Sequence, residues 1–221
     1  MNTYSSRPVV LCLSGHDPSG GAGLQADIEA LLAQGCHAAP AVTALTVQDT
    51  VNVSDFRVLD REWVLAQANA VLNDSTVAAV KLGMLGSLEM VDTVVELLQA
   101  HPHLPLVCDP VLRAGGGGRL GKDDIKHLLI TGGHGDEHEV HNRLYSRDGL
   151  RETYTCQRLP GSYHGSGCTL ASALAGRLAQ GEHLASAVKT ALDYTWRTLR
   201  DAEQLGRGQF VPRRLPLDFC S

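Results

Sequence analysis

Short apolar runs alternate with amphipathic stretches along this chain, and that alternation limits its fold more than any other feature. Val9-Val10-Leu11-Cys12-Leu13 reads as a buried strand. Residues 24–34 read as a helix with Leu24, Ile28, Leu31 and Leu32 on one face. The pattern continues with a strand over 39–46, a helix over 61–73, a strand over 77–82, a helix over 88–99 and a short buried strand over 106–108. Another short buried strand is expected at 128–130, then a hairpin of 144–146 and 152–157 around Arg147-Asp148-Gly149. Helices over 171–178 and 185–204 close the chain. Strands alternating with helices predict an α/β fold with a mostly parallel sheet, and ligands in such folds bind at the carboxyl ends of strands. Polar and glycine clusters stand at those ends: Ser14-Gly15-His16-Asp17, Gly83-Met84, Asp109 and Gly132-Gly133-His134.

A chain of 221 residues buries one sizeable core, so a single domain over 1–221 is expected. With 19 Lys and Arg against 24 Asp and Glu, and no basic block, nothing points to nucleic acid. The early apolar run has only a strand's length, which excludes a signal peptide or membrane span there. Six scattered cysteines without a C-x-x-C pair predict reduced thiols and a cytoplasmic protein.

His164-Gly165-Ser166-Gly167-Cys168-Thr169-Leu170 is a glycine-rich turn that runs into an alanine-rich helix. Such a turn gathers unpaired backbone N–H groups and the positive end of a helix dipole, which suits a phosphate oxygen or a phosphoryl-transfer transition state. Cys168 sits at the same point, where a helix start is expected to lower a thiol pKa and supply a base.

Gly15 to Gly23 follows the first strand and opens a helix, but lacks the Lys-Ser/Thr ending of a P-loop. Gly21-Ala22-Gly23-Leu24-Gln25-Ala26 fits G-x-G-x-x-A. A polar run precedes it and no acidic residue closes the next strand, so a dinucleotide site stands beside a structural turn and a small-molecule pocket. Asp27 is either a solvated helix-start carboxylate or an acceptor for a ligand amine in the crevice. Gln48 is either an exposed loop residue or a reader of a heterocycle edge. His134, His138 and His141 lack metalloprotease spacing and read as part of a solvated loop.

Several motifs together resemble the hydroxymethylpyrimidine/phosphomethylpyrimidine kinases of thiamin biosynthesis. They are Ser14 to Asp27, Val42 to Thr50, Val80-Lys81-Leu82-Gly83-Met84-Leu85, Asp109-Pro110-Val111, Gly132-Gly133-His134 and His164 to Thr169. The resemblance implies a ribokinase-like α/β fold, MgATP as phosphoryl source, a small pyrimidine substrate and a homodimer. It implies that Gly15, Asp27, Gln48 and Met84 line a pyrimidine pocket. Gly165, Ser166, Gly167 and Cys168 would form the anion hole, with Cys168 as the base. Asp109 would place Mg²⁺ and the ATP phosphates, with Lys81 and Thr131 also on the nucleotide side.

One departure stands out. After Leu120 the family continues with a strand-helix unit that this chain lacks. Only residues 113–126, glycine-rich at the start, separate two strands that would need a parallel crossover. Either the sequence skips a stretch that the native protein has, which the integrity of the other motifs favours, or the unit is deleted. A deletion would remove an internal strand, expose apolar edges and weaken ATP turnover. The leading expectation is a pyrimidine-alcohol kinase. Pyridoxal phosphorylation, a non-catalytic pyrimidine-binding relative and a dinucleotide oxidoreductase are the alternatives.

Overall fold

The computed structural model describes residues 7–110, 125–133 and 138–216. They fall into two compact units, one drawn from residues 1–117 with 162–221 and the other from 118–161.

The first unit is built on a five-stranded sheet. Its strands are β1 (Val9–His16), β2 (His37–Gln48), β3 (Val53–Val58), β4 (Val77–Leu82) and β5 (Leu106–Cys108), in the order β3-β2-β1-β4-β5. All neighbours run parallel except β2 and β3. Strand β1 is central and buried over most of its length, as expected of a strand covered on both faces. Its alternating side chains feed two cores. Leu11 and Leu13 join Val64 and Ala68 of α2 (Arg61–Asp74) and Met90, Val94 and Leu97 of α3 (Leu88–Gln99). Val10 and Cys12 join Leu24 and Leu31 of α1 (Gly23–Ala33) and Ala175 of α4 (Ser166–Ala179). A Cβ at Gly176 would lie 3.1 Å from Gln34 Cβ, which shows how closely α4 approaches the end of α1. Helix α5 (Leu184–Arg200) packs on α4.

The expected strands and helices of this unit are all present, with ends displaced by a few residues. Strand β3 was not expected. Val53-Ser54-Asp55-Phe56-Arg57-Val58 is exposed along nearly its whole length, and its extended form comes from antiparallel pairing with β2, not from burial.

The second unit is an antiparallel sheet of β6 (His127–Ile130), β7 (Glu139–Ser146) and β8 (Gly149–Gln157), in that order. The expected hairpin is there and longer than the sequence suggested. The buried strand expected at 128–130 is corrected: β6 pairs antiparallel with β7, and Leu128 and Ile130 are 48% and 47% exposed. The solvated loop expected around His138 and His141 is corrected too, since Glu139 to His141 form the start of β7. His134 lies outside the described residues.

Candidate active site

Parallel strands β1, β4 and β5 deliver their carboxyl ends to one edge of the sheet, and the start of α4 meets them there. The loop after β1 is folded around Asp17, which is almost fully buried. One carboxylate oxygen accepts the Ser19 amide at 2.8 Å and the Ser19 hydroxyl at 2.7 Å. The other accepts the Ala22 amide at 2.7 Å and contacts His164 Nε2 at 2.8 Å. Burial pushes the Asp17 carboxyl up, but these hydrogen bonds outweigh it and bring the pKa to about 2. This clamp ties the first glycine loop to the residue that precedes the α4 turn. Contact between the loops is close: a Cβ at Gly165, whose φ is +75°, would fall 2.0 Å from the Gly21 carbonyl oxygen. Only glycine fits there. A Cβ at Gly23 would similarly strike the Gly15 carbonyl, so glycines of the G-x-G-x-x-A stretch serve loop closure.

Helix α4 begins at Ser166 with no side-chain cap. The Thr169 amide bonds back to the Gly165 carbonyl at 2.9 Å. The first-turn amides of Ser166, Gly167 and Cys168 precede that bond, as orphan donors do at any helix start. Cys168 lies close to the Gly23 amide and to the Asp109 carboxylate. Burial raises the Cys168 thiol pKa, and nearby Lys81 only partly offsets this. The expected lowering by the helix start is therefore corrected: desolvation and two neighbouring carboxylates, Asp27 and Asp109, dominate. Burial also raises the Asp109 carboxyl, against the pull of Lys81. Asp109 lies close to the turn, since a Cβ at Gly167 would stand 3.2 Å from its Oδ2.

Beneath Cys168, one turn along α4, Ser172 donates to Asp27 Oδ1 at 2.7 Å. Lys81 Nζ lies 2.7 Å from the same oxygen, and both side chains are wholly buried. Lys81 also donates to Ser14 Oγ at 3.4 Å. Burial pulls the lysine pKa down, but Asp27 overrides it and leaves the value raised. Among the described residues Asp27 Oδ2 has no hydrogen-bond partner. Of the two readings of Asp27, the solvated surface carboxylate is excluded by its burial. The Lys81 ammonium is enclosed with Asp27 and Ser14.

Gly15 and Met84 are neighbours, with Met84 Sδ 3.4 Å from where a Gly15 Cβ would stand. Gln48, half-buried at the end of β2, donates to Thr46 Oγ1 at 2.8 Å, and that hydroxyl donates to the His16 carbonyl at 2.9 Å. Gly15, Asp27, Met84, Asp109 and the turn of Gly165 to Cys168 thus share one edge of the sheet with the end of β2. Thr131 belongs to the second unit, where it follows β6 and is exposed. Among the described residues no group of three or more His, Cys, Asp or Glu side chains forms a metal cluster. Sequence reasoning missed Arg214, a buried cation behind the glycine loops. Its one visible signal was a charged pair, Arg213-Arg214, within an apolar stretch.

A parallel sheet, glycine loops at its carboxyl edge and an amide-lined helix start define a kinase of the ribokinase-like fold. Solved structures share this architecture. Pyridoxal kinase of Bacillus subtilis, in an ADP complex, overlays with a TM-score of 0.84 at 20% identity, covering 95% of this chain and 98% of that one. Phosphomethylpyrimidine kinase of Clostridium difficile 630 overlays with a TM-score of 0.69 at 26% identity, covering 86% and 98%. The sequence matches the phosphomethylpyrimidine kinase family over residues 17–129 and 121–213, and the chain belongs to that family. It is 31% identical to the hydroxymethylpyrimidine/phosphomethylpyrimidine kinase of Haemophilus influenzae, over 90% of this chain and 93% of that protein. That alignment runs to 251 positions, more than the 221 residues of this chain, so the relative has residues with no counterpart here. The two matched stretches meet at 121–129, beside the expected loss after Leu120.

Proposed function

We propose that this chain transfers the γ-phosphoryl group of ATP to the hydroxyl of 4-amino-5-hydroxymethyl-2-methylpyrimidine, and then to the resulting monophosphate. In this reading residues 1–221 act as one kinase domain, as a cytoplasmic homodimer. The observation that carries it is the unpartnered Oδ2 of Asp27, buried directly below Cys168. A buried acceptor without a donor is costly, and a bound N–H donor completes it. An aminopyrimidine offers such donors. Gly15 and Met84 would flank the ring, and Gln48 would offer an amide to its edge. The relatives' names, which specify hydroxymethylpyrimidine and its phosphate, support the same substrate class.

Phosphoryl transfer needs positioning and charge neutralisation more than covalent help. The amides of Ser166 to Cys168 would hold the oxygens of the transferring group. Cys168 would accept the hydroxymethyl proton. Mg²⁺ takes one or two carboxylates together with substrate phosphates, and Asp109, a lone half-buried carboxylate at the turn, fits that donor set. When bound, the ion would neutralise phosphate charge.

The test is ATP turnover by the purified chain with the aminopyrimidine alcohol, following products by mass. Appearance of the monophosphate and then the diphosphate is expected, with pyridoxal a poor acceptor. Pyrimidine binding without ATP consumption would reject the kinase in favour of a binding protein. Cys168→Ala should lower turnover by about 10² or more while pyrimidine affinity stays nearly constant. Because the thiol pKa is raised, turnover should climb with pH through neutrality into the alkaline range. A flat profile, or an unchanged rate in the variant, removes Cys168 as the base.

A further inference from the structure

Behind the two glycine loops runs the segment 210–216, which contributes one wholly buried cation. The Arg214 side chain is 0% exposed. Its Nε donates to Thr169 Oγ1 at 2.8 Å, one terminal nitrogen donates to the Gly21 carbonyl, and the other donates to Glu29 Oε2 at 3.0 Å. The backbone beneath it is anchored on α5. Tyr194 donates its hydroxyl to the Arg214 carbonyl at 2.9 Å, and the Arg213 amide bonds the Thr198 carbonyl at 3.0 Å.

The contact to Thr169 is passed on. Its hydroxyl, accepting from Arg214, donates to the Gly165 carbonyl at 2.8 Å. That carbonyl is the one that precedes the amides of Ser166, Gly167 and Cys168. Gly21, held by another arm of the same guanidinium, is the residue whose carbonyl touches Gly165. One rigid planar fork thus spans the loop after β1 and the start of α4 and holds both. A lysine supplies a single point charge and cannot bond in three directions of one plane. A buried cation is a poor choice for stability alone, because well-packed apolar residues often serve as well.

We propose that Arg214 is a positioning residue that sets the aim of the α4 amides, through Thr169 and Gly165 on one side and Gly21 on the other. The proposal rests on the phosphoryl-transfer reading of that turn.

Arg214→Lys, Thr169→Val and Thr169→Ser separate positioning from simple scaffolding. Each would be assayed where circular dichroism shows it folded, for kcat, for pyrimidine KM and for ADP affinity by calorimetry. Arg214→Lys and Thr169→Val should lower kcat by about 10²-fold and weaken ADP by about tenfold, with pyrimidine KM within about twofold of the parent. Thr169→Ser, which keeps the hydroxyl, should behave like the parent. Lower thermal stability with kcat and ADP affinity intact would overturn the proposal and leave Arg214 as scaffold. If Arg214→Lys does not fold, Thr169→Val, which keeps the side-chain volume, decides alone. A parent chain that binds ADP without turnover defeats the kinase reading, and ADP affinity of the variants then decides the positioning role. A parent chain that neither binds nor turns over defeats both.

Discussion

Strands β1 and β4 of the first unit and strand β6 of the second are all short, apolar in sequence and followed by glycine or polar residues. Their environments differ sharply. Leu11, Leu13, Val80 and Leu82 are buried between helix layers, whereas Leu128 and Ile130 stand about half exposed. Strand β5, the edge of the five-stranded sheet, is intermediate: Val107 and Cys108 are half-buried while Leu106 is 42% exposed. Apolar strand sequence is therefore not burial. It becomes burial only where neighbouring strands and covering helices exist.

The comparison can be broken at its deepest point first. Lys81→Met leaves Asp27 as an unpaired buried carboxylate, and should cost about 3–5 kcal/mol of stability, read from urea unfolding. A loss below about 1 kcal/mol would mean that water reaches the pair and that the two units differ less than their burial implies. Next comes the clamp. The Asp17 carboxyl is held near pKa 2, below its ordinary value of 3.8, so its contribution is fully present above about pH 4 and is lost as pH falls through 2. Asp17→Asn should remove about 2 kcal/mol at neutral pH and flatten the acid limb of the stability curve. An acid limb unchanged by the substitution would place the acid sensitivity elsewhere. A pair of substitutions, one in each unit, sharpens the contrast. Leu31→Ala in the core should cost about 2–5 kcal/mol. Leu128→Ser on β6 should stay within about 0.5 kcal/mol. A large loss at Leu128 would show that β6 is covered in solution, by another molecule or by residues outside those described.

The glycine loops show how far local sequence reaches. Gly15, Gly165 and Cys168 were recognisable as candidate site residues because a glycine-rich turn opening a helix has a chemistry independent of the rest of the chain. Asp27 remained ambiguous: a carboxylate in the first turns of a helix suits solvent as well as a crevice. The structure resolves it through Lys81 and Ser172, which lie 54 and 145 positions away in sequence. Arg214 was not found at all, since its partners Gly21, Glu29 and Thr169 converge only after the sheet and α5 have formed.

By itself the sequence determined the α/β class, the order and approximate extent of most strands and helices, and the family. Those properties follow from periodicity and from contiguous motifs, which are local. Tertiary structure alone decided that Lys81 serves Asp27 and lies away from solvent, that β6 is an exposed antiparallel strand, and that β3 exists. It also decided the Cys168 thiol's upward shift, which a helix start alone would have reversed. Burial, ion pairing and strand pairing depend on which distant residues meet, and desolvation depends on everything that surrounds a group. Neither is written in any short stretch of chain.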